Sequence, residues 1–185
     1  SDPDSYTPFL IAYIKELIAQ NKFLYTSNAS KINTCLLILY LSDVSKYFSS
    51  VEQFLNSDLK FDFKTTEKYL QDHQLYHLMT LLYSHRGEYY ENALDLWKKL
   101  EKGLLSDASY TGLSNASNLL RRCKNPKLIL NHIEFLLERD QNEAADVLIS
   151  NTQLDDNNKF SILEPEYVVA ILHKYRRALI TYLGF

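Results

Sequence analysis

Residues 76–103, YHLMTLLYSHRGEYYENALDLWKKLEKG, decide the fold. Apolar side chains recur at helical spacing, stop at Arg86-Gly87 and resume at the same spacing on a second segment. Gly87 lies where the chain must reverse, and Gly103 where the second helix should end. Two short helices cannot bury their apolar faces alone, so the pair must pack against neighbouring helices. We predict this core of the repeat to be Leu78, Leu82, Gly87, Ala93, Leu96 and Trp97.

The composition favours an all-α protein and excludes several function classes. The 185 residues include only four Gly and four Pro, fewer than a sheet protein with many tight turns needs. The net charge of −3 comes from interspersed acids and bases, so there is no basic stripe for nucleic acid. The longest apolar run, residues 35–41, is far short of the ~20 residues that cross a bilayer. No signal peptide opens the chain, and we expect residues 1–7 to be an expression remnant or linker.

The apolar pattern continues along the whole chain. It predicts about nine or ten helices of about 10–16 residues, with Pro8, Pro126 and Pro165 in first turns. Thr65 and Thr66 are candidate caps, and residues 151–160 are the clearest loop. Sustained alternation is missing, so we expect almost no strand. Many short helices in succession favour a right-handed α-solenoid of stacked antiparallel pairs over a closed bundle, which uses fewer and longer helices.

Residues 69–100 resemble the clathrin-heavy-chain type of repeat rather than the tetratricopeptide pattern. Trp97 is followed by Lys98-Lys99-Leu100, without the Leu-Gly step that a tetratricopeptide motif requires. The clathrin type runs from a leucine/tyrosine helix through a glycine turn to a helix with Ala-Leu and an aromatic residue. The matching positions are Leu75, Leu81, Leu82, Tyr83, Gly87, Ala93, Leu94 and Trp97.

The flanking segments resemble one family in the correct order. FLIAYIKELIAQ and INTCLLILYLS, near the start, resemble the signature of the vacuolar protein sorting thirty-nine and TGF-β receptor-associated protein family. LILNHIEFLLERDQNEAADVLIS and EPEYVVAILHKYRRALITYLGF resemble its later helices. NALDLWKKLEKG is nearer the TGF-β receptor-associated (CORVET) branch than the HOPS branch.

The resemblance implies that residues 8–185 are a single α-solenoid fragment of a longer tethering-complex subunit. The family's amino-terminal propeller and carboxy-terminal zinc module have no counterpart in this sequence. The implied function is a scaffold at endosome and vacuole or lysosome membranes, in the cytoplasm and peripheral to the membrane. The implied partners are other complex subunits, with Rab GTPases or SNAREs reached through the full complex. Two alternatives remain open: a signalling adaptor for TGF-β receptors or Smad proteins, and a generic coat or pore scaffold.

Motifs for chemistry are incomplete, so we predict no catalytic, cofactor or metal site. His73 and His77 have the i, i+4 spacing of half a zinc site but lack the Glu of a zincin. The calcium-loop pattern from Asp155 to Glu166 has Phe160 where glycine is required. No nucleophile elbow or glycine-rich phosphate loop is present. The two cysteines are expected to be reduced thiols, with a single disulfide as the alternative.

Two basic clusters are the remaining candidates for binding. Their cations stand near predicted helix ends, where they would stabilise the helix dipole. The functional alternative is a patch for an acidic protein surface or for anionic lipid headgroups. The candidate residues are Arg121, Arg122, Lys124, Arg176 and Arg177.

Overall fold

The computed structural model describes residues 6–20, 28–152 and 162–184, and the chain is all-α over these ranges, as predicted. Eleven α-helices and one 3₁₀ turn are formed there, and no strand. The helices of the first half are α1 (Thr7–Ala19), α2 (Ala29–Ser42), α3 (Val44–Leu55), α4 (Phe63–Asp72) and α5 (Tyr76–Ser84). After the 3₁₀ turn Gly87–Tyr89 come α6 (Tyr90–Glu101), α7 (Ser114–Arg122), α8 (Pro126–Arg139), α9 (Gln141–Thr152), α10 (Pro165–Leu172) and α11 (Arg176–Leu183).

The helices are shorter and slightly more numerous than predicted. The described helices contain 8 to 14 residues. Several of them end at corners without a proline, so the sequence pattern did not mark these ends. The sequence pattern predicts a short helix over 49–57, but α3 begins already at Val44, where the Asp43 side chain accepts a hydrogen bond from the Lys46 N–H. The pattern also predicts a helix within 107–123, and α7 begins only at Ser114, after Gly112 adopts a positive φ of 96°.

Proline marks three helix starts as predicted, whereas the prediction of threonine caps was wrong. Pro8, Pro126 and Pro165 lie in the first turns of α1, α8 and α10, as predicted. The N-cap of α4 is Asp62, whose carboxylate accepts the Thr65 N–H at 2.7 Å. This hydrogen bond holds the pKa of Asp62 below its ordinary value of 3.8.

The two glycines of the opening stretch differ. Gly103 ends α6 as predicted, with a φ of 67° that L side chains disfavour. Its N–H donates to the Leu100 carbonyl, and the Leu104 N–H donates to the Lys99 carbonyl, which together form a Schellman motif. Gly87 starts the 3₁₀ turn, and a Cβ built there would meet nothing within 4 Å. The turn at Gly87 therefore does not require glycine on steric grounds.

The first compact unit ends at Gly87. In it, α1 packs on α2, α2 packs on α3 and α4, and α5 packs on α3 and α4. Two buried polar side chains of α2 hold the segment that leads into α4. Asn33 donates to the Lys60 carbonyl at 2.9 Å, and the Thr34 hydroxyl accepts the Asp62 N–H at 2.8 Å. These bonds satisfy buried polar groups and fix where α4 begins.

The second compact unit begins at Glu88. In it, α6 packs on α7 and α8, α9 packs on α7, α8 and α11, and α10 packs on α11. Its core includes Trp97, Leu119, Ile133 and Leu148, all at most 1% exposed. Helix α9 is the central element of this unit because it contacts three others. The prediction of one continuous solenoid over 8–185 stays a prediction.

Candidate functional site: a basic groove beside α9

A surface groove of about 580 Å³ lies where the end of α8, the start of α9 and the segment before α11 meet. Its walls are mostly charged. The basic side chains that line it are Arg139, Lys174, Arg176 and Arg177, and the acidic ones are Glu138 and Asp140.

Some charged side chains of the groove are engaged by other groups of the protein, and others are exposed to solvent. The Asp140 carboxylate accepts the N–H groups of Asn142 and Glu143 at 3.0 and 3.1 Å, so it caps the start of α9. Arg139 lies over the Phe135 ring, with its guanidinium carbon 5.7 Å from the ring centre. Lys174, Arg176 and Arg177 are exposed. Because four basic side chains face two carboxylates, the groove presents an excess of positive charge.

The start of α11 is held by a side chain from another helix. Gln141 of α9 accepts the N–H groups of Arg177 and Ala178 through its Oε1, at 3.2 and 3.4 Å. Tyr175 occupies the N-cap position without making a side-chain cap. This cross-helix cap uses backbone donors that would otherwise face an anion. The attraction of the groove for anions therefore comes from its arginine and lysine side chains.

A tyrosine next to the groove is kept neutral. Burial raises the pKa of Tyr175, and the Glu134 and Glu138 carboxylates raise it further. A tyrosine phenol is already protonated at neutral pH, and this shift moves its ionisation further from that range.

The structure divides the predicted basic patch. Arg176 and Arg177 line the groove. Arg121 is half-buried and forms an ion pair with Glu143 of α9 at 2.9 Å. Arg122 and Lys124 are exposed and do not line the groove. Both sequence clusters thus contact the first turn of α9, but only the second cluster forms the groove.

Arg139 is the groove residue that sequence reasoning missed. It lies at the end of α8 and is followed after one residue by the start of α9. Lys174 lies in the same predicted basic cluster as Arg176 and Arg177. The sequence could have indicated Arg139 through its position, because it directly precedes the corner at Asp140 between two predicted helices. A basic side chain at such a corner is exposed to solvent.

The predicted core residues are divided between the two compact units. Leu78 and Leu82 of α5, and Ala93 and Trp97 of α6, are at most 2% exposed. Leu96 is half-buried, because Leu94 takes the inward position instead.

The histidine pair, the calcium-loop pattern and the two cysteines do not form a site among the described residues. His73 ends α4 and His77 lies inside α5, with Gln74 at a positive φ of 56° between them. They therefore do not share a helical face. Asp155 and Asn157 of the calcium-loop pattern lie outside the described residues. Cys35 and Cys123 are both free thiols.

None of the described residues that line the groove is a histidine or a cysteine. Its arginine and lysine side chains can bind an acidic ligand by charge and hydrogen bonding. A mixed group of metal-ligating side chains, formed by Glu91, Asp95 and His132, occurs elsewhere in the second unit. Within the described ranges, no helix combines the length and apolar character required to span a bilayer.

Comparison with known proteins gives one distant similarity. No protein-family model matches the chain, and no solved structure matches it. The transforming growth factor-beta receptor-associated protein 1 of Mus musculus is 25% identical over 187 residues, which cover 95% of this chain and 20% of the mouse protein. The protein of the same name from Bos taurus is also 25% identical, with 19% of its length covered. The chain thus spans about a fifth of these relatives, and the similarity supports the family resemblance at the level of a distant relationship.

Proposed function

We propose that this chain is a non-enzymatic interaction segment of a membrane-tethering subunit, and that its basic groove holds an acidic surface of another subunit. The observation that carries the proposal is the excess of positive side chains around Arg139, Arg176 and Arg177. Complementary charge on two protein surfaces accelerates their encounter and fixes the register of binding.

The order of helix contacts supports the solenoid part of the proposal. In each unit, the principal contacts join a helix to the next helix or to the next but one. Examples in the first unit are the contacts α2–α4 and α3–α5. Examples in the second unit are α6–α8, α7–α9 and α9–α11. Repeat proteins in which every helix pair packs on its neighbour produce this pattern. We therefore infer that each unit is part of a right-handed α-solenoid of antiparallel pairs.

The similarity over nearly the whole chain supports the biological setting. Together with the family resemblance of the sequence, it favours a subunit of CORVET or HOPS acting in vesicle-mediated protein transport and membrane fusion. The segment would then work in the cytoplasm, peripheral to endosome and vacuole or lysosome membranes. Its direct partners would be other subunits, and Rab GTPases or SNAREs would be reached through the assembled complex.

Charge reversal within the groove tests the docking surface. We expect Arg176→Glu with Arg177→Glu to weaken binding of tethering-complex subunits at least about 10-fold, since both cations face the groove. The fold should survive, because acidic side chains in the first turn of α11 are favourable with the helix dipole. Affinity is measured by interferometry, and far-UV circular dichroism checks the fold.

The matched control is Arg122→Glu with Lys124→Glu, which changes the net charge equally on exposed residues outside the groove. It should leave the affinity within about twofold, because distant surface charges are screened by salt. If both double variants weaken binding equally, the effect comes from net charge and the groove is not the docking site.

A second candidate function is a signalling adaptor that associates with TGF-β receptors or Smad proteins. The name of the two relatives, which refers to the transforming growth factor-beta receptor, favours it. Parallel pull-downs with tethering-complex subunits and with receptor cytoplasmic domains separate the two candidates. Firm receptor binding without retention of any complex subunit would support the adaptor and contradict the tethering role.

A further inference from the structure

Helices α6 and α8 bring three metal-ligating side chains together. Glu91 and Asp95 are spaced i, i+4 on α6, so they share one face of that helix. His132 of α8 meets this face, and its Nε2 lies 2.9 Å from Oε1 of Glu91. One ligand atom from each of the three side chains lies within 4.8 Å of the other two.

The histidine is fixed by packing, whereas the carboxylates are free to adjust. The His132 side chain is 3% exposed, and that of Glu91 is 56% exposed. Asp95 is also exposed. Ligands of a tetrahedral zinc ion are roughly 3.3 Å apart, given metal–ligand distances near 2.0–2.2 Å. The exposed carboxylates can close the remaining gap by rotation, while the imidazole supplies a rigid first ligand.

The Nε2 atom of His132 faces the Glu91 carboxylate, so this is the nitrogen that can bind an ion there. Its other nitrogen, Nδ1, is buried and has no hydrogen-bond partner among the described residues. In a metal-bound imidazole of this orientation, the proton would be on Nδ1. The Nε2 lone pair would then point at the two carboxylates.

We propose that Glu91, Asp95 and His132 form a binding site for a divalent first-row transition metal, Zn²⁺ foremost. One imidazole and two carboxylates are a mixed nitrogen and oxygen set, which suits Zn²⁺ better than Ca²⁺ or Mg²⁺. Three protein ligands leave a fourth position open to solvent. The ion would join α6 to α8 and remove the repulsion between two like charges at i, i+4.

Lys98 is the positive charge that competes with such an ion. Burial lowers the pKa of Lys98, while Asp95 and Glu91 act in the opposite direction. Its ammonium is directed towards α8, where it donates to the Asn131 carbonyl at 3.5 Å and lies 5.9 Å from the Phe135 ring centre. The cation is thus held beside the cluster. Lys98→Gln should therefore strengthen zinc binding by removing a nearby positive charge.

Zinc titration of the 185-residue chain tests the site. The Cys35→Ser background removes an exposed thiol that would compete for the ion. We expect one zinc ion per chain by calorimetry, and a rise in Tm of about 5–10 °C at a hundredfold excess of zinc over Kd. Glu91→Gln and Asp95→Asn should each weaken binding at least about 10-fold. Asp95→His should restore it, since a second imidazole is a good zinc ligand.

Asp146→Asn on the exposed face of α9 is the matched control, and it should bind zinc like the parent. Circular dichroism without zinc shows whether each variant folds. The site is contradicted if the parent binds no zinc saturably, if Glu91→Gln and Asp95→Asn leave the affinity unchanged, or if Asp146→Asn weakens it as much as they do.

Discussion

Helices α1 and α5 lie in the same unit and are both rich in apolar residues, but the structure uses them differently. Eight of the nine residues of α5 are buried. In α1 only Ile11 is buried, and Phe9 and Tyr13 remain 75% and 62% exposed. Helix α5 packs on α3 and α4, whereas α1 packs principally on α2.

The difference shows that the number of neighbours, rather than apolar content, decides how much of a helix is buried. A helix with a single neighbour buries one stripe, and its other apolar residues stay in water. Thr80 and Ser84 of α5 can be enclosed because their hydroxyl groups are satisfied within the helix. The Thr80 hydroxyl donates to the His77 carbonyl at 2.6 Å, and the Ser84 hydroxyl donates to the Leu81 carbonyl at 2.9 Å.

The largest effect should come from an enclosed aromatic residue. Trp97 is 1% exposed, so Trp97→Ala should lower the free energy of unfolding by about 3–5 kcal/mol through the cavity it leaves. Phe9→Ala, at an exposed position of α1, should cost less than about 1 kcal/mol. Urea denaturation followed by circular dichroism gives both values. Equal losses of unfolding free energy in the two variants would contradict the distinction between the buried Trp97 and the exposed Phe9.

Matched leucines should show the same contrast within one unit. Leu78 of α5 is fully buried, and Leu10 of α1 is 47% exposed. Leu78→Ala should therefore cost about 3 kcal/mol and Leu10→Ala about 1 kcal/mol or less. Thermal and urea unfolding of the two variants measures the difference. A larger loss at Leu10 would mean that α1 is covered more completely than the structure indicates.

The smallest effect concerns an exposed helix cap and depends on pH. Because the pKa of Asp62 is lowered in the folded state, its carboxylate stabilises the fold above its ordinary pKa. That contribution is lost as the pH falls through the folded-state pKa. The stability gap between the parent and Asp62→Ala should therefore be constant above about pH 5 and shrink below about pH 4. Urea titrations at several pH values measure it, and a gap that widens on acidification would contradict the cap.

Local signals in the sequence predicted much of the fold. Proline in first turns and the αL position of Gly103 marked helix ends correctly, because those conformations depend on the residue itself. The start of α3 at Val44 was missed, since the corner at Asp43 uses neither glycine nor proline. The cap of α4 was assigned to Thr65 and Thr66, although aspartate is the more favourable N-cap residue and Asp62 directly precedes the helix.

The candidate sites were harder to predict, because they depend on packing between distant segments. Arg176 and Arg177 were found as a charge cluster, but the groove also needs Arg139 from another helix. Arg121 looked equivalent in sequence, yet Glu143 neutralises it. Nothing local connects Glu91 with His132, which is 41 residues away. Only the packing of α6 on α8 brings these side chains together.

The most direct test of the account is hydrogen–deuterium exchange of the chain alone and bound to the tethering-complex subunit that it retains. We expect slower exchange on binding in residues 137–142 and 174–177, which form the groove. Exchange in α5 should stay unchanged, because that helix is already enclosed. Protection confined to the first unit, or no stable complex with any subunit, would contradict the proposed role of the groove.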